Sequence, residues 1–242
     1  MEKFFRLLPI LMVIAVAVAW LYPLAALGTK FGLWHFRTAF SLIGGAALSS
    51  AILLALSGVA ILMAIARKND KAKHRAALIA LILVVPLGFV FFFGVKAGQV
   101  PRIHDISTDQ VNPPAFQALL AQRPADANPL DYSAEVAAAQ REAYPEVQPL
   151  LLDDNIPDTL QRVQQVARKL GWQVVNVDPA NGLLEATDTS FWFGFVDDIV
   201  VRLTVDAGKT RVDIRSVSRV GQSDIGKNAA RINAFLTALQ EN

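Results

Sequence analysis

The chain has 242 residues, 53% of them hydrophobic, with 23 Lys and Arg against 21 Asp and Glu for a formal net charge of +2. A balance so close to neutral does not point to nucleic acid, and the absence of cysteine excludes disulfides, thiol nucleophiles and a lipidated N-terminal cysteine without excluding an oxidising compartment. The apolar excess lies before residue 97, so the chain reads as a membrane half followed by a soluble half.

Residues 7–27 form a continuous apolar run behind Lys3 and Arg6, long enough to cross a hydrocarbon core of ~30 Å. Ala17-Val18-Ala19 resembles a signal-peptidase site, but the run continues past Trp20, which favours a retained span over a cleaved leader. Residues 39–66 and 76–95 are the second and third spans, each free of ionisable residues, with Pro86 expected to kink the third. The loop 67–75 holds Arg67, Lys68, Lys71, Lys73 and Arg75, whereas 28–38 holds only Lys30 and Arg37. Positive-inside bias then places the N-terminus and the basic loop in the cytoplasm. Three crossings deliver everything after Lys96 to the other side, as in a multi-pass protein of a bacterial inner membrane with a periplasmic C-terminal domain. Gly45 with Ser49, and Ala46 with Ser50, give small-residue spacing suited to close packing within the three-helix unit rather than to a dimer face. With no charge inside a span there is no ion path or proton relay, which argues against a transporter or channel.

Residues 98–149 are interrupted by Pro101, Pro113, Pro114, Pro124, Pro129, Pro145 and Pro149. Long regular elements cannot form there. Short helices are expected at 114–122 and 133–143, within a segment that wraps the domain after it.

Residues 150–242 carry the core of the soluble domain. Pro157 opens a helix whose Leu160, Val163, Val166, Ala167 and Leu170 share a face, and Gly171 stops it. Strands follow at 172–177 and 183–189 around the turn Asp178-Pro179-Ala180-Asn181-Gly182. Ile199, Val201, Leu203 and Val205 alternate with polar positions, and Val212 and Ile214 do so after Asp206-Ala207-Gly208-Lys209. A short loop there pairs Leu203 with Val212 and Arg202 with Asp213. The arginine-bearing face is expected to be solvated, its ion pair worth at most about 1 kcal/mol. A last helix starts at Ser223 or Asp224, with Ile225, Ala229, Ile232, Leu236 and Leu239 at helical spacing. The expected fold is an all-α three-helix transmembrane region followed by an α+β domain, an antiparallel sheet with helices on one face.

Several separated stretches carry a family resemblance: Pro101–Asp109, Asn112–Phe116, Ala143-Tyr144-Pro145, Trp192–Asp198 and Arg211–Gly221. In order and over about residues 100–240, they resemble the domain-of-unknown-function 1499 family, and the apolar N-terminal half resembles its membrane-anchored members. The resemblance implies an envelope-associated domain, found also in relatives from photosynthetic organelles. It implies no established activity and supplies no catalytic residues.

Chemistry must then be sought in the residues. Asp197 or Asp198 could serve as general acid or base for a hydrolase or transferase with an arginine-bound substrate, yet neighbours on an extended strand leave opposite faces and suit neither one metal nor a carboxylate pair. Gly221-Gln222-Ser223-Asp224-Ile225-Gly226 misses the spacing of a nucleophile elbow, and His104 is the only soluble-half histidine. Nothing has zinc-ligand spacing, and no cofactor is implied. An anionic lipid, glycan or envelope protein is better matched by the arginine face of the hairpin, with Arg202, Arg211 and Arg215, beside a loop where Ser218, Gly221, Ser223 and Gly226 surround a helix start and Arg219, Lys227 and Arg231 add charge. Phe191-Trp192-Phe193-Gly194-Phe195 is expected to pack as core or against the wrapping segment, the other reading being a lipid-contacting wedge. The sequence thus favours a non-enzymatic, membrane-integral envelope module, with a structural assembly subunit as a further alternative.

Overall fold

The computed structural model describes residues 2–241 and divides into two compact units. The first extends through Lys96 and includes Phe191–Gly194; the second holds Ala97–Ser190 and the chain from Phe195 onward.

In the first unit a short helix α1 (Glu2–Phe5) precedes α2 (Leu8–Lys30), α3 (Phe36–Ala66) and α4 (Asp70–Gln99). Each of the last three is long and apolar enough to cross a membrane. They extend beyond the apolar runs because polar flanks such as Asp70–Arg75 continue the helix. Their mutual interface is made of small residues: Ala15 on α2, Ala46, Ala60 and Ala64 on α3, and Ala72 and Ala76 on α4 are buried, with Leu53, Ile79 and Leu83 between them. The Ala46/Ser50 half of the small-residue motif is buried while Gly45 is exposed, and Tyr22 and Ser50 join hydroxyls at 3.0 Å. Large apolar side chains such as Leu62 and Phe91 face outward, as lipid-facing positions must.

The second unit is built on a six-stranded antiparallel sheet. Its strands are β1 (Asp105–Ser107), β2 (Leu150–Leu152), β3 (Gln173–Asp178), β4 (Leu183–Thr189), β5 (Val196–Asp206) and β6 (Lys209–Ser218). The order is β1-β6-β5-β4-β3, and β2 shares the outer edge of β6 with β1. These two short edge strands lie in and just after the proline-rich stretch, where three residues are too few to show a period. The β5–β6 hairpin has the expected register, Leu203 opposite Val212 and Arg202 opposite Asp213. A two-residue turn closes it, Ala207 at φ 48° and Gly208 at φ 83°.

One face of the sheet packs α6 (Ile156–Lys169) and α7 (Lys227–Glu241). Leu160, Val163, Ile199, Val201, Leu203, Ile214, Ile232 and the fully buried Phe235 form this core, with Trp172 stacked on Phe235 at 5.1 Å. Asn155 caps α6 through the Asp158 amide. α7 begins at Lys227 rather than at Ser223 or Asp224, because Ile225 and Gly226 take left-handed φ of 56° and 77° and cannot lie in the helix. α5 (Ala134–Ala143), capped by Ser133, matches the expected second short helix; the first is a single 3-10 turn at Ala118–Gln122.

The opposite face is not solvated. Phe116 and Leu119 pack on Leu183, Val200 and Val217, with Leu130 joining them, so the proline-rich segment lies across the sheet. This corrects the exposed arginine face expected from the strand pattern. Alternation of charged and apolar residues marks two faces but does not say that the charged one meets water.

Candidate functional site

Between the wrapping segment and the sheet lies a buried layer of ion pairs. It is assembled from β4, β5, β6 and the residue after β6: Glu185, Asp198, Arg202, Asp213, Arg215 and Arg219 point away from the helices.

Asp198 is fully buried and receives two guanidiniums, Arg123 and Arg219. Arg219 Nε and Nη2 donate to its Oδ1 at 2.9 and 2.7 Å, and Arg219 Nη1 donates to the Gln122 carbonyl at 3.1 Å. Arg123 also donates to the Asn128 carbonyl, while Asn128 Nδ2 donates to the carbonyls of Ser218 and Gly221. Arg215, 5% exposed, grips Asp105 with Nε at 3.0 Å and Nη2 at 2.6 Å. It also donates to the carbonyls of Pro114 and Leu130, between the rings of Phe116 and Tyr132 at 5.5 and 5.8 Å. Burial, with Asp105 adding to it, pushes the Tyr132 hydroxyl far above the ordinary phenol range.

Asp213 is shared by Arg202 (3.2 Å) and Arg211 (2.9 Å), and Arg202 also donates to Asp109 at 2.8 Å. Burial pushes the Asp109 carboxyl up, but the amides of Asn112 and Val111 and the Arg202 guanidinium outweigh it and hold it below the usual range. Glu185, wholly buried, accepts the amides of Gln117, Ala118 and Leu119 at 2.9–3.1 Å and so caps the 3-10 turn. Arg123–Asp198, Arg202–Asp109, Arg215–Asp105 and the amides on Glu185 therefore tie the wrapping segment to the sheet, and each buried charge meets an opposite charge or aligned backbone dipoles.

On the helix face, Asp188 and Asp197 lie opposite each other on β4 and β5, and Arg231 Nη2 reaches both at 2.6 Å. Like charges facing across a ladder repel, and Arg231 offsets this. Lys227 stands 3.7 and 4.0 Å from the same two carboxylates, with its side chain 47% exposed. Ser218 and Ser216 bond Asn228, and Ser223 Oγ donates to the Pro101 carbonyl at 3.3 Å. Asp224 accepts the amides of Gly226 and Asn228; burial raises its carboxyl above the ordinary range, those amides act the other way, and Asp197 adds to the rise.

Of the seven expected ligand-binding positions, Arg202, Arg211, Arg215 and Arg219 lie on the segment-covered face, while Ser218, Ser223 and Lys227 lie with α7. Asp197 and Asp198 turn to opposite faces of β5, Asp197 to Arg231 and Asp198 to Arg123 and Arg219. Sequence reasoning passed over Arg123, Glu185 and Asp105, because the proline-rich stretch gives no period from which their partners could be read. Among the described residues no group of three or more His, Cys, Asp or Glu is arranged to hold a metal.

Charge matching differs between clusters. Arg202 and Arg211 face Asp109, Asp213 and Asp206; Arg231 and Lys227 face Asp188 and Asp197; Arg215 matches Asp105. At Asp198 two guanidiniums share one carboxylate, leaving an excess of positive charge at the end of β6.

Residues 105–239, over half the chain, match the protein family described as "Protein of unknown function (DUF1499)". No curated protein matches the chain.

Proposed function

The chain belongs to the DUF1499 family, and from that premise we propose that it is a membrane-anchored, non-enzymatic envelope module whose soluble domain binds an anionic envelope component. The occupant class is an acidic lipid headgroup, an acidic glycan or an acidic surface of an envelope protein. The observation that carries this reading is the Arg123–Asp198–Arg219 cluster, where cationic groups outnumber their carboxylate partner. Of the residues expected to bind, Arg219 is the one this reading keeps at its centre. Arg202 and Arg215 serve mainly to hold the wrapping segment through Asp109 and Asp105, and Arg211 pairs with Asp213 and Asp206 of the hairpin; carboxylates match or outnumber all three.

The anchor supplies the second part. Three candidate spans support a membrane protein, and the five basic residues of 67–75 support a bacterial inner membrane with a cytoplasmic basic loop and a periplasmic domain.

The test uses the full chain in nanodiscs of neutral lipid, titrated with glycerol phosphate and with a short uronic-acid oligosaccharide by calorimetry. Wild type is expected to bind at least one probe. Arg219→Ala should weaken that binding five-fold or more, while Arg202→Ala leaves it unchanged. Absence of binding to both probes at millimolar concentration, or equal losses in the two variants, overturns the anion reading.

A further inference from the structure

Of the six residues joining β4 to β5, the four at the tip belong to the helical unit, and their side chains are not core. Ser190 and Phe195 close the neck of the loop, Ser190 N donating to the Phe195 carbonyl at 2.8 Å and Phe195 N to Ser190 Oγ at 2.9 Å. The tip, Phe191–Gly194, is counted with α2, α3 and α4. There Phe191 is 71% and Trp192 50% exposed, which corrects the packed cluster expected from the sequence.

Within the helical unit the tip is fixed by its backbone. Lys30 Nζ donates to the Phe191 carbonyl at 2.9 Å and stands 4.6 Å from the Phe191 ring centroid. A Cβ on Gly194, whose φ is 69°, would come within 3.2 Å of Lys30 Cα. Phe193 lies 5.6 Å from Phe40. Phe191 and Trp192 remain exposed beside these contacts, their rings edge to face at 5.3 Å.

Lys30 is the last residue of α2. A 23-residue helix is about 34 Å long, slightly more than a hydrocarbon core of ~30 Å, so its terminal lysine lies where the core meets the headgroups. Aromatic rings concentrate at that level in membrane proteins. Phe31 and Trp34 sit on the α2–α3 connection, and Phe36 and Phe40 in the first turns of α3. A pair of exposed rings held by their backbone at the lysine end of a span has one matching occupant, the bilayer itself.

We propose that Phe191 and Trp192 insert into the headgroup–acyl boundary of the bilayer, making the β4–β5 loop a second, non-helical membrane contact of the chain. This stands apart from the anion-binding reading, since it concerns other residues and needs no anionic lipid.

The absence of cysteine makes the test direct. Phe191→Cys, Trp192→Cys and Val205→Cys are each spin-labelled in the full chain in phosphatidylcholine vesicles, and collisions with oxygen and with a water-soluble nickel chelate are compared. Labels at 191 and 192 are expected to meet oxygen several-fold more and the chelate several-fold less than the label at 205, a residue 72% exposed at the hairpin end. Chelate access equal to that at 205, or shielding from both reagents, overturns the proposal. Because each cysteine removes an aromatic ring, a second measurement leaves the rings in place: the fluorescence difference between wild type and Trp192→Phe. That difference should be quenched by lipids brominated near the headgroup; quenching by aqueous acrylamide alone overturns the proposal equally.

Discussion

Asp198 illustrates how a buried charge shapes this domain. Its carboxylate is surrounded by two guanidiniums whose side chains are 7% and 13% exposed, so removing it leaves both without their partner. Asp198→Asn is therefore expected to cost about 3–5 kcal/mol, a fall in Tm on the order of 10 °C by near-ultraviolet circular dichroism in detergent. Arg219→Ala leaves Arg123 on the carboxylate and should cost clearly less. Equal effects of the two substitutions would mean that the pairs are not coupled through Asp198. Glu185 follows the same logic with backbone dipoles in place of arginine, since its two oxygens hold three amides of the 3-10 turn.

Among elements, the β5–β6 hairpin sets the register on which the ion pairs of Asp198, Arg202, Asp213 and Arg215 depend. Its turn places Ala207 at φ 48° and Gly208 at φ 83°, the left-handed pair of a type I′ turn. Glycine accepts that conformation without strain, but alanine does not. Ala207→Asn is expected to stabilise the fold by about 0.5–1 kcal/mol, and Ala207→Val to destabilise it by about 1 kcal/mol or more, in thermal unfolding. No change in either variant would contradict the turn. A slip of one residue would set Arg202 against an apolar partner and carry Asp198 to the helix face. Turn chemistry and charge burial are thus one constraint.

For the whole molecule, the wrapping segment makes a sheet covered on both faces, one by helices and one by chain held through ion pairs and Phe116–Leu119 packing. Disposition across the membrane follows from charge. Single cysteines at Lys71→Cys and Val205→Cys should respond oppositely to an impermeant maleimide, the hairpin position labelling in intact spheroplasts and the basic-loop position only after lysis. The reverse pattern removes the envelope setting and the proposed ligands with it.

Spans, helix faces, the hairpin register and the antiparallel sheet were legible locally, because hydropathy and periods of two and 3.6 act over a few neighbouring residues. The strands β1 and β2, the cap on Glu185 and the arginine partners were not. They depend on contacts such as Arg215 with Asp105 and Arg219 with Asp198, 110 and 21 positions apart in the chain. Alternating polarity told which residues share a face. Only the tertiary structure decided that this face is buried, because covering it takes a distant proline-rich segment with no period of its own.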